Sequence, residues 1–130
     1  MRQTFCKDER LCKKSLIKKL FDEGEKQFYY PFRVISLKCS VPGNFPVQLL
    51  ISVPRSLFRH ATERNKIKRL IREAYRKNKH LLYEPLAENH EQMLICLTYT
   101  AKEIISYEAL TGKIIVLLQR LKDKNAEVAR

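Results

Sequence analysis

An α+β fold in one domain is the class the sequence predicts, and three observations point to it. The hydrophobic period switches between helical and alternating along the chain, in the order α-β-β-α-β-α. The 130 residues are enough for one hydrophobic core and too few for two. No internal repeat or low-complexity linker divides them. The expected domain therefore spans 1–122, with 1–10 a basic arm and 123–130 a charged tail that should fray.

Each element has its own signal. Leu16, Ile17, Leu20 and Phe21 are apolar at helical spacing within Cys12 to Glu23, and Gly24 stands where that helix would end. From Gln27 to Cys39 the chain turns aromatic and β-branched, and Pro31 predicts an edge strand or two short pieces. Val41-Pro42-Gly43-Asn44 is a turn signal. Phe45 to Val53 reads as a strand with Val47, Leu49, Ile51 and Val53 on one face. From Ser56 to about Asn78 the period is helical, with Ile67, Leu70, Ile71 and Ala74 on the apolar side. Leu81 to Glu91 is ambiguous, a further helical turn broken at Pro85. Gln92 to Thr100 is a short apolar run of the kind found in buried strands. Ser106 then offers an N-cap for a last helix through Lys122, with Glu108 in its first turn and Leu110, Ile114, Leu117, Leu118 and Leu121 as its stripe. The three glycines, Gly24, Gly43 and Gly112, are expected at element boundaries.

Composition narrows the function. Apolar residues at 45% exclude a wholly disordered chain. Twenty-six Lys and Arg against 14 acids give a net charge of +12, a self-repulsion that a polyanionic partner would relieve. No run of eighteen apolar residues occurs, and the first ten residues lack a signal-peptide core, so a cytoplasmic protein with no membrane partner is expected. The cysteines Cys6, Cys12, Cys39 and Cys96 have no metal-ligand spacing, which predicts free thiols and no metal site.

The charge is concentrated. Between Arg55 and Lys79 ten basic residues face only Glu63 and Glu73, so this stretch carries +8 of the +12. On a helix, Asn65, Arg69, Arg72 and Arg76 fall roughly 140–200° from Ile67, opposite the apolar side. That stripe is roughly 16 Å long at 1.5 Å per residue and could meet several successive phosphates. A solvated helix face normally mixes signs, whereas like charges stack here at i, i+4. Arginine forks suit phosphate. A second basic cluster, Arg2, Lys7, Arg10, Lys13, Lys14, Lys18 and Lys19, leads into the first helix. Aromatics of the first helix and strand beside Arg33 and Lys38 have the composition of a single-strand platform. No nucleophile–base constellation, carboxylate pair or Gly-rich phosphate loop is present, so catalysis by the chain itself is not expected and none of its residues is a catalytic candidate.

The run Glu63-Arg64-Asn65-Lys66-Ile67-Lys68-Arg69-Leu70-Ile71-Arg72-Glu73 resembles the signature of the bacterial ribonuclease P protein subunit, an Arg-Asn-Arg motif followed by Ile-Lys-Arg-Leu-x-Arg-Glu. Leu50 to Arg55 stands where that family has a strand ending in a Val-x-Lys-Lys segment, and Leu11, Ile17, Leu20, Phe21 and Gly24 follow the family's first-helix pattern. Lys66 replaces an arginine, Ser56 a lysine and Ile17 an aromatic. The resemblance spans roughly 10–120. It implies an α-β sandwich of order α-β-β-β-α-β-α with a left-handed βαβ crossover through the basic helix.

The resemblance also implies a function. The protein would partner a catalytic RNA that removes 5′ leaders from precursor tRNA, using magnesium held mainly by the RNA, with no cofactor in the protein. Arg55, Arg59, Arg64, Asn65, Lys66, Lys68, Arg69, Arg72 and Arg76 are then expected to hold the catalytic RNA. Ile17, Phe21, Phe32 and Val34, flanked by Lys13, Lys14 and Arg33, are the candidates for a cleft that takes the precursor tRNA leader. A ribosomal RNA-binding protein of similar size and charge is the competing reading. A helix-turn-helix DNA binder lacks a short helix before the basic one, so no DNA partner is expected, and a self-sufficient nuclease lacks metal-binding carboxylates.

Overall fold

The computed structural model describes residues 9–40 and 45–128, with side chains through residue 123. Most of the basic arm and the Val41–Asn44 turn lie outside the described residues. The elements are α1 (Lys14–Glu23), β1 (Glu25–Tyr29), β2 (Phe32–Lys38), β3 (Val47–Ser52), α2 (Ala61–Asn78), α3 (His80–Glu88), β4 (Met93–Tyr99) and α4 (Tyr107–Val128). This is the expected α-β-β-β-α-β-α order with a short helix, α3, added after the basic one.

The four strands form one sheet in the order β1-β2-β4-β3. β1, β2 and β4 are antiparallel neighbours, while β3 runs parallel to β4. Parallel neighbours need a long crossover, and α2 with α3 supply it. Pro31 splits the aromatic segment into a hairpin, with a cis Tyr30–Pro31 bond at its turn and Tyr29 opposite Phe32.

The two sheet faces are covered unequally. One face packs Phe32, Val34, Leu49, Ile95, Leu97 and Tyr99 against Ile67, Ile71 and Ala74 of α2, Leu82 and Leu86 of α3, and Leu110, Ile114 and Leu117 of α4. The other packs Ile35, Leu94 and Cys96 against Leu20, with Leu16 and Ile17 of α1 at the margin. β4 is buried on both faces, which explains its unbroken apolar sequence.

Several expectations change. The basic helix begins at Ala61, not Ser56. Phe58 turns inward to pack 6.1 Å from the Tyr99 ring, and residues 54–60 form a loop. The last helix continues to Val128, so most of the segment expected to fray is helical. Gly112 lies inside α4, with nothing within 4 Å of an added Cβ. Gly24 does end α1, in an extended conformation. Glycine is required there because a Cβ would press on the Leu20 carbonyl and lie 2.6 Å from Ile35 Cγ2. Ser106 caps α4 as expected, accepting a bond from the Ala109 amide at 3.3 Å.

Candidate nucleic-acid interface

The basic helix presents its charge as the 3.6-residue period requires. Ile67, Ile71, Ala74 and Tyr75 are buried, whereas Asn65, Lys66 and Arg69 are exposed and Lys68, Arg72 and Arg76 are half-exposed. Arg55 and Arg59 are exposed on the loop that enters the helix. Some of these cations also brace the scaffold. Arg64 Nη1 donates to the carbonyls of Phe58 at 2.8 Å and Arg59 at 2.9 Å, fastening that loop to the first turn of α2. Arg72 Nε donates to the Lys68 carbonyl. Arg76 is bidentate to Glu73, and that hydrogen bond draws the Glu73 carboxyl below its usual range. Lys77 lies over the Tyr107 ring at 5.7 Å and ties the end of α2 to α4.

On the opposite face of the sheet, strand register builds a second surface. Phe28, Arg33 and Thr98 face one another across β1, β2 and β4. Lys26, Ile35 and Cys96 form the next row. α1 is only ten residues long, about 15 Å, and seals the Ile35–Cys96 row without reaching the first. A groove of about 590 Å³ remains, lined by Phe21 of α1 with Lys26, Phe28, Arg33, Ile35 and Thr98. Phe21 is 43% exposed and Phe28 62% exposed. Two aromatic side chains beside two cations over a shallow floor are the chemistry that takes an unpaired nucleic-acid strand.

The expected cleft residues separate into two groups. Phe21 and Arg33 meet in the groove. Phe32 and Val34 do not: they are buried in the core on the other face, and this corrects their assignment to the cleft. The reason is the two-residue period of β2, which sends Arg33 and Ile35 to one side and Phe32 and Val34 to the other. Ile17 packs at the margin of the smaller core. Lys13 and Lys14 are exposed where α1 begins and do not line the groove. Lys26, Phe28 and Thr98 are additions. The signal for the first two was the hairpin: a turn centred on Tyr30-Pro31 sets Phe28 opposite Arg33 and Lys26 opposite Ile35.

A buried polar cluster also had no clear sequence signal. Lys79 Nζ donates to both Glu9 carboxylate oxygens, at 2.9 and 2.7 Å, with both side chains almost wholly buried. The Tyr83 hydroxyl donates to Glu9 at 2.7 Å, and Tyr75 and Tyr83 hydroxyls are 2.8 Å apart. Burial pushes both phenols far above the usual tyrosine range, so they remain protonated. The cluster clamps the segment before α1 onto the α2–α3 junction. Leu11 then donates its amide to the Leu49 carbonyl at 2.9 Å, beside the Arg10–Leu49 bridge on the β3 edge.

Among the described residues, no group of three His, Cys, Asp or Glu side chains could hold a metal ion. Burial raises the thiols of Cys39 and Cys96 above their usual range, which disfavours the nucleophilic thiolate. No helix among the described residues is long and apolar enough to cross a membrane.

Comparison with known proteins settles the lineage. The sequence matches the family described as Ribonuclease P over residues 5–122. The chain belongs to the ribonuclease P protein family. The ribonuclease P protein component of Porphyromonas gingivalis is 36% identical over 104 residues, 80% of this chain and 76% of that protein. The corresponding component of Chlorobaculum tepidum is 32% identical over 118 residues, 83% of this chain and 76% of that protein. Among solved structures, the RNase P protein from Thermotoga maritima aligns with a TM-score of 0.68 at 28% identity, covering 86% of this chain and 96% of its own. A Staphylococcus aureus RNase P protein mutant shares the fold, with a TM-score of 0.69 at 24% identity, covering 89% of this chain and 90% of its own. The protein is thus a ribonuclease P component, a ribonucleoprotein subunit of tRNA processing whose partner is the RNA subunit.

Proposed function

We propose that this chain grips the catalytic RNA with the outward side of α2 and the 5′ leader of precursor tRNA with the groove beside α1. The supporting observation is the placement of two chemically different surfaces on opposite faces of one small sheet. Arg55, Arg59, Asn65, Lys66, Lys68, Arg69, Arg72 and Arg76 supply phosphate contacts. Arg64 adds to these while bracing the loop. Phe21, Phe28, Arg33 and Lys26 supply sequence-tolerant contacts to an unpaired leader, by stacking and charge.

Under this reading the RNA carries out the phosphodiester hydrolysis in the cytoplasm. Magnesium is assigned to the RNA, since the α2 surface offers cations, the groove offers cations with aromatics, and no cluster of metal-ligating side chains occurs among the described residues. The protein contributes neutralisation of phosphates and alignment of the leader.

The test is leader removal from precursor tRNA at low magnesium, with the catalytic RNA alone, the RNA with protein, and protein alone. Stimulation of the RNA with no cleavage by protein alone is expected. Cleavage by protein alone, or absence of stimulation, would overturn the proposal. Each α2 phosphate contact also carries a salt signature. Arg69→Ala should lower the slope of log affinity against log salt by about one.

A further inference from the structure

The outer edge of β3 adjoins the α2 surface and lies apart from the groove beside α1. Here the segment Arg10–Cys12 and α2 stand on either side of the strand and leave a hollow of about 170 Å³. Leu50 and Ile51 line it, both half-buried, and Leu11 and Cys12 form one wall. The mouth carries three cations from two separate elements: Arg10 from the N-terminal segment, and Lys68 and Arg72 one turn apart on α2. No acid is among the lining residues.

We propose that this hollow takes a single unstacked nucleotide of the RNA partner, its base against Leu50, Ile51 and Cys12 and its phosphate held by Arg10, Lys68 and Arg72. The size fits one ring system, since an apolar cavity of roughly 150 Å³ holds benzene. Charge complementarity selects the occupant: a small apolar ligand would have no use for three cations, and a bare phosphate would leave the apolar lining wet. The wall is fixed in place. The buried Glu9–Lys79 pair and the Leu11–Leu49 hydrogen bond hold the segment on both sides of Arg10, so the backbone there needs little ordering when a ligand binds.

The inference rests on the proposed RNA-binding role, and its test separates the two. Full-length catalytic RNA is bound by the wild type, Cys12→Phe and Arg10→Ala, across a salt series, with base methylation and 2′-hydroxyl acylation mapped on each complex. Cys12 is exposed, and Phe there fills the hollow without changing charge. Cys12→Phe should bind about five- to tenfold more weakly, the loss expected when one base is denied a small apolar seat. Its salt slope should be unchanged, and one nucleotide protected by the wild type should regain reactivity. Arg10→Ala should lower the slope by about one. Cys12→Phe binding with wild-type affinity and wild-type nucleotide reactivity would overturn the site. So would a Cys12→Phe defect that comes with a reduced salt slope, because displaced cations would then be its cause. Failure of the wild type itself to bind the RNA would overturn the proposed function and the site together.

Discussion

The two faces of the sheet are made from the same strands and carry opposite duties. On one, α2, α3 and α4 bury every row from Tyr99 to Met93. On the other, α1 covers the Ile35–Cys96 row and leaves Phe28, Arg33 and Thr98 open. Neighbours in sequence thus belong to different problems. Phe32 is wholly buried and sits edge-on to Tyr99 at 6.2 Å, while Arg33 is exposed in the groove. The sheet stays open where helical cover stops short, and the length of α1 decides where that is.

The sharpest way to break this contrast is to remove adjacent side chains of β2. Phe32→Ala should cost about 3–5 kcal/mol of unfolding free energy, read by denaturant titration. Arg33→Ala should stay within about 0.5 kcal/mol of wild type and weaken precursor tRNA binding. Equal losses of stability would mean the open face is structural after all.

Next is the clamp that holds the N-terminal segment. Glu9→Gln leaves the Lys79 ammonium buried without its carboxylate, and a loss of about 3–5 kcal/mol is expected in the same titration. A change below about 1 kcal/mol would show that water reaches Lys79 and that the segment is not clamped.

A smaller effect sharpens the open side. Phe28→Ala should cost about 1–3 kcal/mol of leader-dependent affinity by loss of a stacking surface, with the melting temperature nearly unchanged because that ring is mostly solvated. The smallest effect lies on α4. Gly112→Ala should stabilise the protein by up to about 1 kcal/mol, since helical propensity rises and nothing blocks the new methyl.

Much of this layout was legible in the sequence, through periodicity. The buried side of α2 and its outward stripe followed from a 3.6-residue period, and the shared face of Val47, Leu49 and Ile51 on β3, continued by Val53 just beyond it, from a period of two. Phe32 and Val34 were misjudged because the resemblance grouped them with Arg33, although the two-residue period of β2 sends them to the opposite face; which of the two faces stays open depends on where α1 packs, and that is a long-range property. Glu9–Lys79 was hidden for the same reason: two charges 70 positions apart read as surface residues until the fold buries both. Gly112 looked like a boundary because glycine usually is one, and the apolar stripe on either side of it outweighed its poor propensity.

The division between the two faces is tested most directly by one binding measurement. Ribonuclease P reconstituted with wild-type or Phe28→Ala/Arg33→Ala protein is titrated with precursor tRNA carrying a single-stranded leader and with mature tRNA lacking it. Weaker binding of the precursor alone, with mature tRNA and assembly on the catalytic RNA unchanged, is the predicted result. Equal losses for both tRNAs, or none for the precursor, would contradict the assignment of the open face to the leader.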